Sequence, residues 1–222
     1  LVPWFPGFVV FWFLTMIALV DYGAGNLTSV RKAFVHLGAD IFTPAAPADL
    51  SRAAAVVVPG VGHFNATRSL TPDWHDAVRA SLDAGKPLLG ICVGMQWLYE
   101  GSTEAPGCPG LGAVPGLCTK LSGGPEALKV PHVGWNTLHL PRPSRLLAGL
   151  APETSVYFTH SFAGPVNEAT AAVTEYGGER FAAAVEDGLV MGVQFHPEKS
   201  SDAGLTILGN FLRLVGGGGG GG

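Results

Sequence analysis

Charge is scarce in this 222-residue chain: 14% of the residues are Asp, Glu, Lys or Arg, against about 25% in an average soluble protein. So little charge cannot keep long stretches solvated, and the 47% apolar content supplies a full core, which excludes disorder for the bulk of the chain. Thirteen Lys and Arg against seventeen Asp and Glu give a net charge of -4. With no basic cluster, the chain lacks the footprint that neutralises a phosphate backbone, so nucleic acid is excluded as a partner. Cysteine is equally sparse. Cys92, Cys108 and Cys118 are odd in number and form no Cys-x-x-Cys pair, which argues against a disulfide framework and a zinc knuckle. A reducing cytoplasm is the expected location, and no metal or other cofactor is expected. Internal repeats are absent too, and the length suits one domain of the usual ~100 to 200 residues or slightly more.

The two ends differ from the rest. Residues 1 to 20 carry no charge and are long enough to raise the question of a membrane span. Pro3 and Pro6 interrupt a helix there, the first basic residue is Arg31, and no small-residue cleavage site follows. Residues 1–15 are therefore expected to be an extension outside the fold rather than an anchor. Met16 is the expected true start, and residues 16–215 form the domain. Residues 216–222, all glycine, are expected to be a floppy tail.

Between these ends the pattern is β-α. Ile17 to Val20 reads as a buried parallel strand. Leu27, Val30, Phe34 and Leu37 then recur at helical spacing behind a cap at Asn26, and Gly38 stops them. Ala55 to Val58 is a second apolar strand. Thr71-Pro72 opens a helix with Trp74, Val78 and Leu82 on one face, closed by Gly85. Pro87 to Ile91 is a third strand, followed by a helical segment with Met95, Leu98 and Tyr99. In the second half, Tyr176-Gly177-Gly178 and Asp187-Gly188 separate extended runs at 169–175, 180–186 and 189–195, so an antiparallel portion joins the sheet, for six expected strands in all. A last helix over about 201–214 carries Leu205, Leu208, Phe211 and Leu212 on one face. The expected fold is a mostly parallel α/β sheet flanked by helices, three-layered and flavodoxin-like, and ligands of such sheets gather at the carboxyl ends of strands.

Three strand ends carry chemistry. Gly90-Ile91-Cys92-Val93-Gly94 joins a strand to a helix as a G-x-C-x-G elbow, which exposes a nucleophile in a strained turn and offers the Val93 N–H to a developing oxyanion. A buried structural cysteine between helix-packing glycines fits the same five residues equally well. His196-Pro197-Glu198 follows the run 189–195. Pro197 keeps His196 out of the helical region, and in an extended stretch Glu198 would face the same way and orient the imidazole. That arrangement makes Cys92, His196 and Glu198 nucleophile, base and orienter; taken alone, a solvated loop histidine beside a turn proline is the commoner explanation. Pro59-Gly60-Val61-Gly62 could turn the Val61 N–H toward a substrate as a second oxyanion donor, although a plain turn is the commoner use of such residues. Asp21 to Asn26 has the outline of a dinucleotide-binding turn, but Thr28 stands where the third glycine belongs and no P-loop lysine follows, so nucleotide binding is rejected.

Gly90 to Gln96 together with the distant His196-Pro197-Glu198 resembles the class I glutamine amidotransferase family, over Met16 to about Val215. A narrower resemblance, to the glutaminase subunits of imidazole glycerol phosphate synthase, rests on Asp21-Tyr22-Gly23 with Gly25-Asn26-Leu27, on 59–62, on Val130 to Asn136 and on Tyr157 to Phe162. The resemblance implies that Cys92 attacks the side-chain amide of L-glutamine to give a thioester that water hydrolyses to glutamate, releasing ammonia. It further implies that Gly60, Gln96, Glu104, His160, Ser161 and Phe162 line the glutamine pocket; for Glu104 a solvated loop carboxylate is an equal alternative. Ammonia protonates in neutral water and loses nucleophilicity, so a partner chain is implied: the cyclase subunit, in a heterodimer for histidine biosynthesis. Asn26, with the turn it closes from Gly23, Trp135 and Lys199 are the candidate docking residues. His63 departs from the small residue expected after Gly62 and bears on how freely 59–62 can turn. A free-standing cysteine hydrolase and a catalytically silent binding module are the alternatives. Gln96 and the 157–162 stretch speak against the first, and the joint presence of Cys92, His196 and Glu198 against the second.

Overall fold

The computed structural model describes residues 16–125 and 128–216; the expectations for residues 1–15 and for the end of the glycine run lie outside them. The chain runs β1 (Met16–Leu19), α1 (Leu27–His36), β2 (Asp40–Phe42), β3 (Ala55–Gly60), α2 (Pro72–Asp83), β4 (Leu88–Cys92) and α3 (Val93–Leu98). It continues through β5 (Gly101–Ser102), β6 (Leu117–Lys120), β7 (His132–Thr137), β8 (Ser155–His160) and β9 (Phe162–Ala163). The last elements are β10 (Thr170–Tyr176), β11 (Glu179–Asp187), β12 (Val190–Val193) and α4 (Ser201–Gly216).

Seven strands form the main sheet in the order β10-β11-β12-β4-β3-β1-β2. β2, β1, β3, β4 and β12 run parallel, and β11 and β10 add the antiparallel edge. β3 and β4 are buried along their whole length, as strands covered on both faces must be. The crossover β1-α1-β2 steps outward and β3-α2-β4 steps the other way. Right-handed connections in opposite directions place their helices on opposite faces, which gives the three layers. Phe34 on α1 meets Phe211 on α4 edge to face at 6.3 Å, and His75 on α2 meets Trp97 on α3 at 5.0 Å. No described helix is long and apolar enough to cross a membrane.

Local chemistry sets the boundaries. Asn26 caps α1: its Oδ1 accepts the Ser29 N–H at 3.3 Å and its Nδ2 donates to Ser29 Oγ at 2.8 Å. Gly38, just past the helix, has φ +83°, the left-handed turn that glycine adopts most easily. The hairpin of β7 and β8 pairs His132 with His160 and Trp135 with Tyr157. The alternating apolar pattern did not announce it, because polar His132, Asn136, Thr159 and His160 interrupt both strands. The elbow helix is short, closing at Leu98, with Tyr99 already extended at its end.

Asn26→Ala should lower stability by about 1 kcal/mol through the lost cap. Chemical denaturation reads it, and an unchanged midpoint would show that the side chain is not committed to α1.

Candidate active site

The parallel register brings three strand ends side by side. Gly60 on β3 pairs with Cys92 on β4, and Ile91 pairs with Val193 on β12, so the chain leaving β12 reaches His196 beside the elbow. Cys92 sits at φ 54°, ψ -108°, a conformation that costs a non-glycine residue about 1–3 kcal/mol. The flanking glycines make it possible. A Cβ on Gly94 would lie 1.7 Å from the Val58 carbonyl oxygen, and one on Gly90 would lie 2.5 Å from that of Gly94. The first turn of α3 therefore packs backbone to backbone against β3 and β4, and Val93, next after the nucleophile candidate, opens that helix, where main-chain N–H groups lack intrahelical partners.

His196 Nδ1 and Glu198 Oε1 are 2.8 Å apart, with both side chains almost wholly buried. The expected extended geometry gives way here: Pro197–Lys199 form one 3-10 turn, and it is the turn that folds the carboxylate back onto the ring. The His196 main chain is fixed from β8. Its N–H donates to the Tyr157 carbonyl at 2.9 Å, while Ser200 Oγ donates to the His196 carbonyl at 2.7 Å and accepts the Tyr157 N–H at 3.0 Å. Nε2 of His196 is buried without a hydrogen-bond partner among the described residues. Burial alone would lower the affinity of this ring for a proton. The Cys92 sulfur on one side and Glu198 on the other outweigh it and raise the His196 pKa, so this ring holds a proton more readily than a free imidazole does. Hydrogen bonds of this kind are often incomplete before substrate arrives and tighten in the complex.

A cavity of about 200 Å³ opens over the sulfur, lined by Gly62, Cys92, Val93, Gln96, Glu104, Pro131, Thr159, His160, Ser161 and Phe162. Larger hollows lie near His75 and near Cys108, but neither reaches Cys92. The smaller cavity is the functional candidate, because it alone of the three contains the elbow. Gln96, Glu104, His160, Ser161 and Phe162 thus converge on it. Gly60 and Val61 do not line it; the chain enters the cavity one step later, at Gly62, whose φ is +86°. His63 turns away, its Nδ1 accepting the Asn65 N–H at 3.0 Å, so it caps the following 3-10 turn instead of filling the cavity. Glu104 already accepts the Phe64 N–H at 2.7 Å through Oε2, which anchors it at the cavity wall. Asn26 is turned to Ser29, as described. Trp135 is 55% exposed and lies edge-on to Tyr157 at 6.1 Å, while Lys199 Nζ stands 5.8 Å from the centroid of the same Tyr157 ring. Trp135 and Lys199 thus both contact Tyr157, and Val133, two residues before Trp135 on β7, is also 55% exposed.

Several neighbours of the site were missed in the sequence. Tyr22 is buried with its hydroxyl unpartnered, and burial, then the nearby Cys92 charge, pushes its pKa well above the phenol range. Its hydroxyl lies where a Gly60 side chain would begin, 2.0 Å from an ideal Cβ, which is why position 60 is glycine for packing as well as for turning. His132 backs His160, Nδ1 to Nε2 at 3.1 Å, and Asn136 in turn contacts His132 Nε2 at 3.3 Å. Period-2 alternation from His160 and its strand partner would have found His132, had the hairpin been recognised. No group of three or more His, Cys, Asp or Glu among the described residues could hold a metal ion.

The histidines respond to pH in opposite directions. Burial lowers His160 to about 3 and His132 to about 4, so both fold neutral while the unfolded chain takes up protons near pH 6.5. Their contribution is whole above that pH and is lost as pH falls, by up to roughly 1.4 kcal/mol per pH unit for each ring. The raised His196 contributes fully below about pH 6.5 and loses its share as pH rises toward about 9. His160→Gln should therefore lose less stability between pH 6.5 and 4.5 than the parent, read from urea midpoints; equal losses would rule out a neutral buried His160.

The profile of "Glutamine amidotransferase class-I" matches residues 18–215. The chain is 42% identical over 201 residues to "Imidazole glycerol phosphate synthase subunit HisH" of Methanothermobacter thermautotrophicus, covering 90% of this chain and 99% of that one. It is 45% identical to the protein of the same name from Deinococcus radiodurans, covering 89% and 93%. Among solved structures, "Crystal structure of glutamine amidotransferase" superposes with a TM-score of 0.69 at 21% identity over 90% of this chain and 98% of that one. The glutaminase domain of Trypanosoma brucei CTPS with bound acivicin superposes with a TM-score of 0.66 at 18% identity, over 91% and 94%.

Proposed function

The chain belongs to the class I glutamine amidotransferase family, and from that premise we propose that it is the glutaminase subunit of an imidazole glycerol phosphate synthase, hydrolysing L-glutamine and passing ammonia to a cyclase partner in histidine biosynthesis. The observation that carries the reading is Cys92 in the cavity wall with the buried His196–Glu198 pair beside it, the Cys92 sulfur and the Glu198 carboxylate both acting on the His196 ring.

The chemistry follows from that arrangement. Cys92 Sγ attacks the carbonyl carbon of the glutamine side-chain amide, and the oxyanion that forms is met by the Val93 N–H. His196, holding the proton from the thiol, delivers it to the departing nitrogen, so the C–N bond breaks as ammonia leaves and a thioester remains. A water molecule gives a proton to His196 and attacks the thioester, the C–S bond breaks, and glutamate is released. Glu198 keeps the ring in the tautomer with Nδ1–H toward the carboxylate. A second oxyanion donor, the Val61 N–H, becomes available if the 60–62 peptide turns; Gly60 and Gly62 supply the freedom. Glu104 suits the substrate α-amino group by charge, and Gln96, Ser161 and Phe162 supply polar and main-chain contacts along the wall.

Released ammonia must not meet bulk water, so the cavity needs a partner over it. The patch of Trp135, Val133, Tyr157 and Lys199 is the docking face of this reading: Trp and Tyr are residue types that anchor interfaces, and here the exposed Trp135 indole packs against Tyr157 with Lys199 over the same Tyr157 ring. It is also mechanically close to the site, because Tyr157 holds the His196 main chain.

Cys92→Ala should abolish glutamate release while leaving association with the cyclase intact; turnover near that of the parent would rule out the assignment. Glutaminase turnover in the parent should rise when the cyclase and its ribonucleotide substrate are added. Trp135→Ala should weaken binding to the cyclase by about 30-fold or more, a loss of roughly 2 kcal/mol typical of a buried interface anchor. Isothermal titration of the two subunits reads it, and unchanged affinity would move the docking face elsewhere.

A further inference from the structure

Gln194 stands out among the buried groups that the triad leaves unexplained. It is fully buried at the end of β12, and its Nε2 lies 3.7 Å from Cys92 Sγ, within donor reach of the larger sulfur atom. An amide can face either way, but here the neighbours fix it. Gln96 Nε2 donates to the Phe162 carbonyl at 2.8 Å, and a carbonyl can only accept, so Gln96 must present its nitrogen on that side. The same nitrogen lies 3.2 Å from Gln194 Oε1, which must therefore be the oxygen. The Gln194 NH2 is left directed at the sulfur, and the chain Phe162-Gln96-Gln194-Cys92 runs from the cavity wall to the nucleophile.

We propose that Gln194 is a further catalytic residue of this site, donating an N–H to the Cys92 sulfur so that the thiolate is held, and aimed, on the side opposite the imidazole. The inference rests on the reading of Cys92 as nucleophile. A neutral amide suits the task. It stabilises negative charge on sulfur without titrating itself and without competing with His196 for the proton, and its contribution is greatest when the sulfur is anionic. Because Gln96 is both a wall of the cavity and the group that orients Gln194, substrate contacts at Gln96 reach the sulfur through one shared amide.

The test is the pH profile of Cys92 alkylation by iodoacetamide, followed on the Cys92 peptide by mass spectrometry, together with glutamine kinetics in the presence of the cyclase. In Gln194→Met, which keeps the volume and removes the donor, alkylation at pH 7 should slow about ten-fold and the profile should move up by about one pH unit. The kcat for glutamine should fall with KM little changed. Gln194→Leu likewise removes the donor and adds no charge; it should move the profile in the same direction, and it carries the test if the Met variant does not fold. A folded variant whose alkylation profile coincides with that of the parent overturns the proposal, even if its melting temperature has dropped, since a purely structural amide would not change thiol ionisation. A parent chain that releases no glutamate with the cyclase present would instead overturn the glutaminase reading.

Discussion

Everything in this molecule depends on the register of three parallel strands. The pairings Gly60 with Cys92 and Ile91 with Val193 put the carboxyl ends of β3, β4 and β12 on one line. A slip of one residue in either pairing would send Cys92 to the wrong side of the pleat and His196 out of reach of it. The glycines around the elbow are the other half of the same constraint. Gly90, Gly94 and Gly60 each stand where a Cβ would strike backbone or a buried hydroxyl, so the strained turn at Cys92 is held by close main-chain packing on every side.

That packing also decides the electrostatics. Three histidines lie within one buried region and meet opposite fates. His160 and His132 have each other, a backbone carbonyl and aromatic rings for neighbours, so burial dominates and they stay neutral. His196 has a carboxylate on one nitrogen and a thiol beside the ring, and these outweigh the same burial. The site thus contains one imidazole able to carry charge, flanked by others that cannot compete for the proton. The β7-β8 hairpin joins this region to the surface, since His132 and His160 face inward while Val133, Trp135 and Tyr157 form the outer patch.

How much was legible beforehand follows physical lines. The inner parallel strands and their helices declare themselves because burial on both faces demands continuous apolar runs, and because Asn26, Gly38, Pro72 and Gly85 punctuate them by local chemistry; the parallel edge strand β2, with no buried residue, did not. The β7-β8 hairpin did not, since its polar inward residues serve a buried histidine network instead of an apolar core and so break the alternation that marks a strand. Glu198 was legible as a partner of His196, but through a mistaken conformation: the extended backbone expected around Pro197 is a tight 3-10 turn, and the carboxylate arrives by folding back. Tyr22 and His132 lay within stretches that carried the family resemblance, yet neither their roles nor that of Gln194 could be read locally. Their meaning comes from atoms that are distant in the chain.

The sequence by itself determined six of the seven strands of the main sheet, the caps and the residue types able to do the chemistry, because these depend on interactions within a few positions of each residue. Which of those groups touch, which glycine is needed for packing and which for turning, and which histidine keeps its proton were decided only by tertiary structure. Distance, dielectric and hydrogen-bond orientation are set by the packing of strands about a hundred residues apart, and no local pattern encodes them.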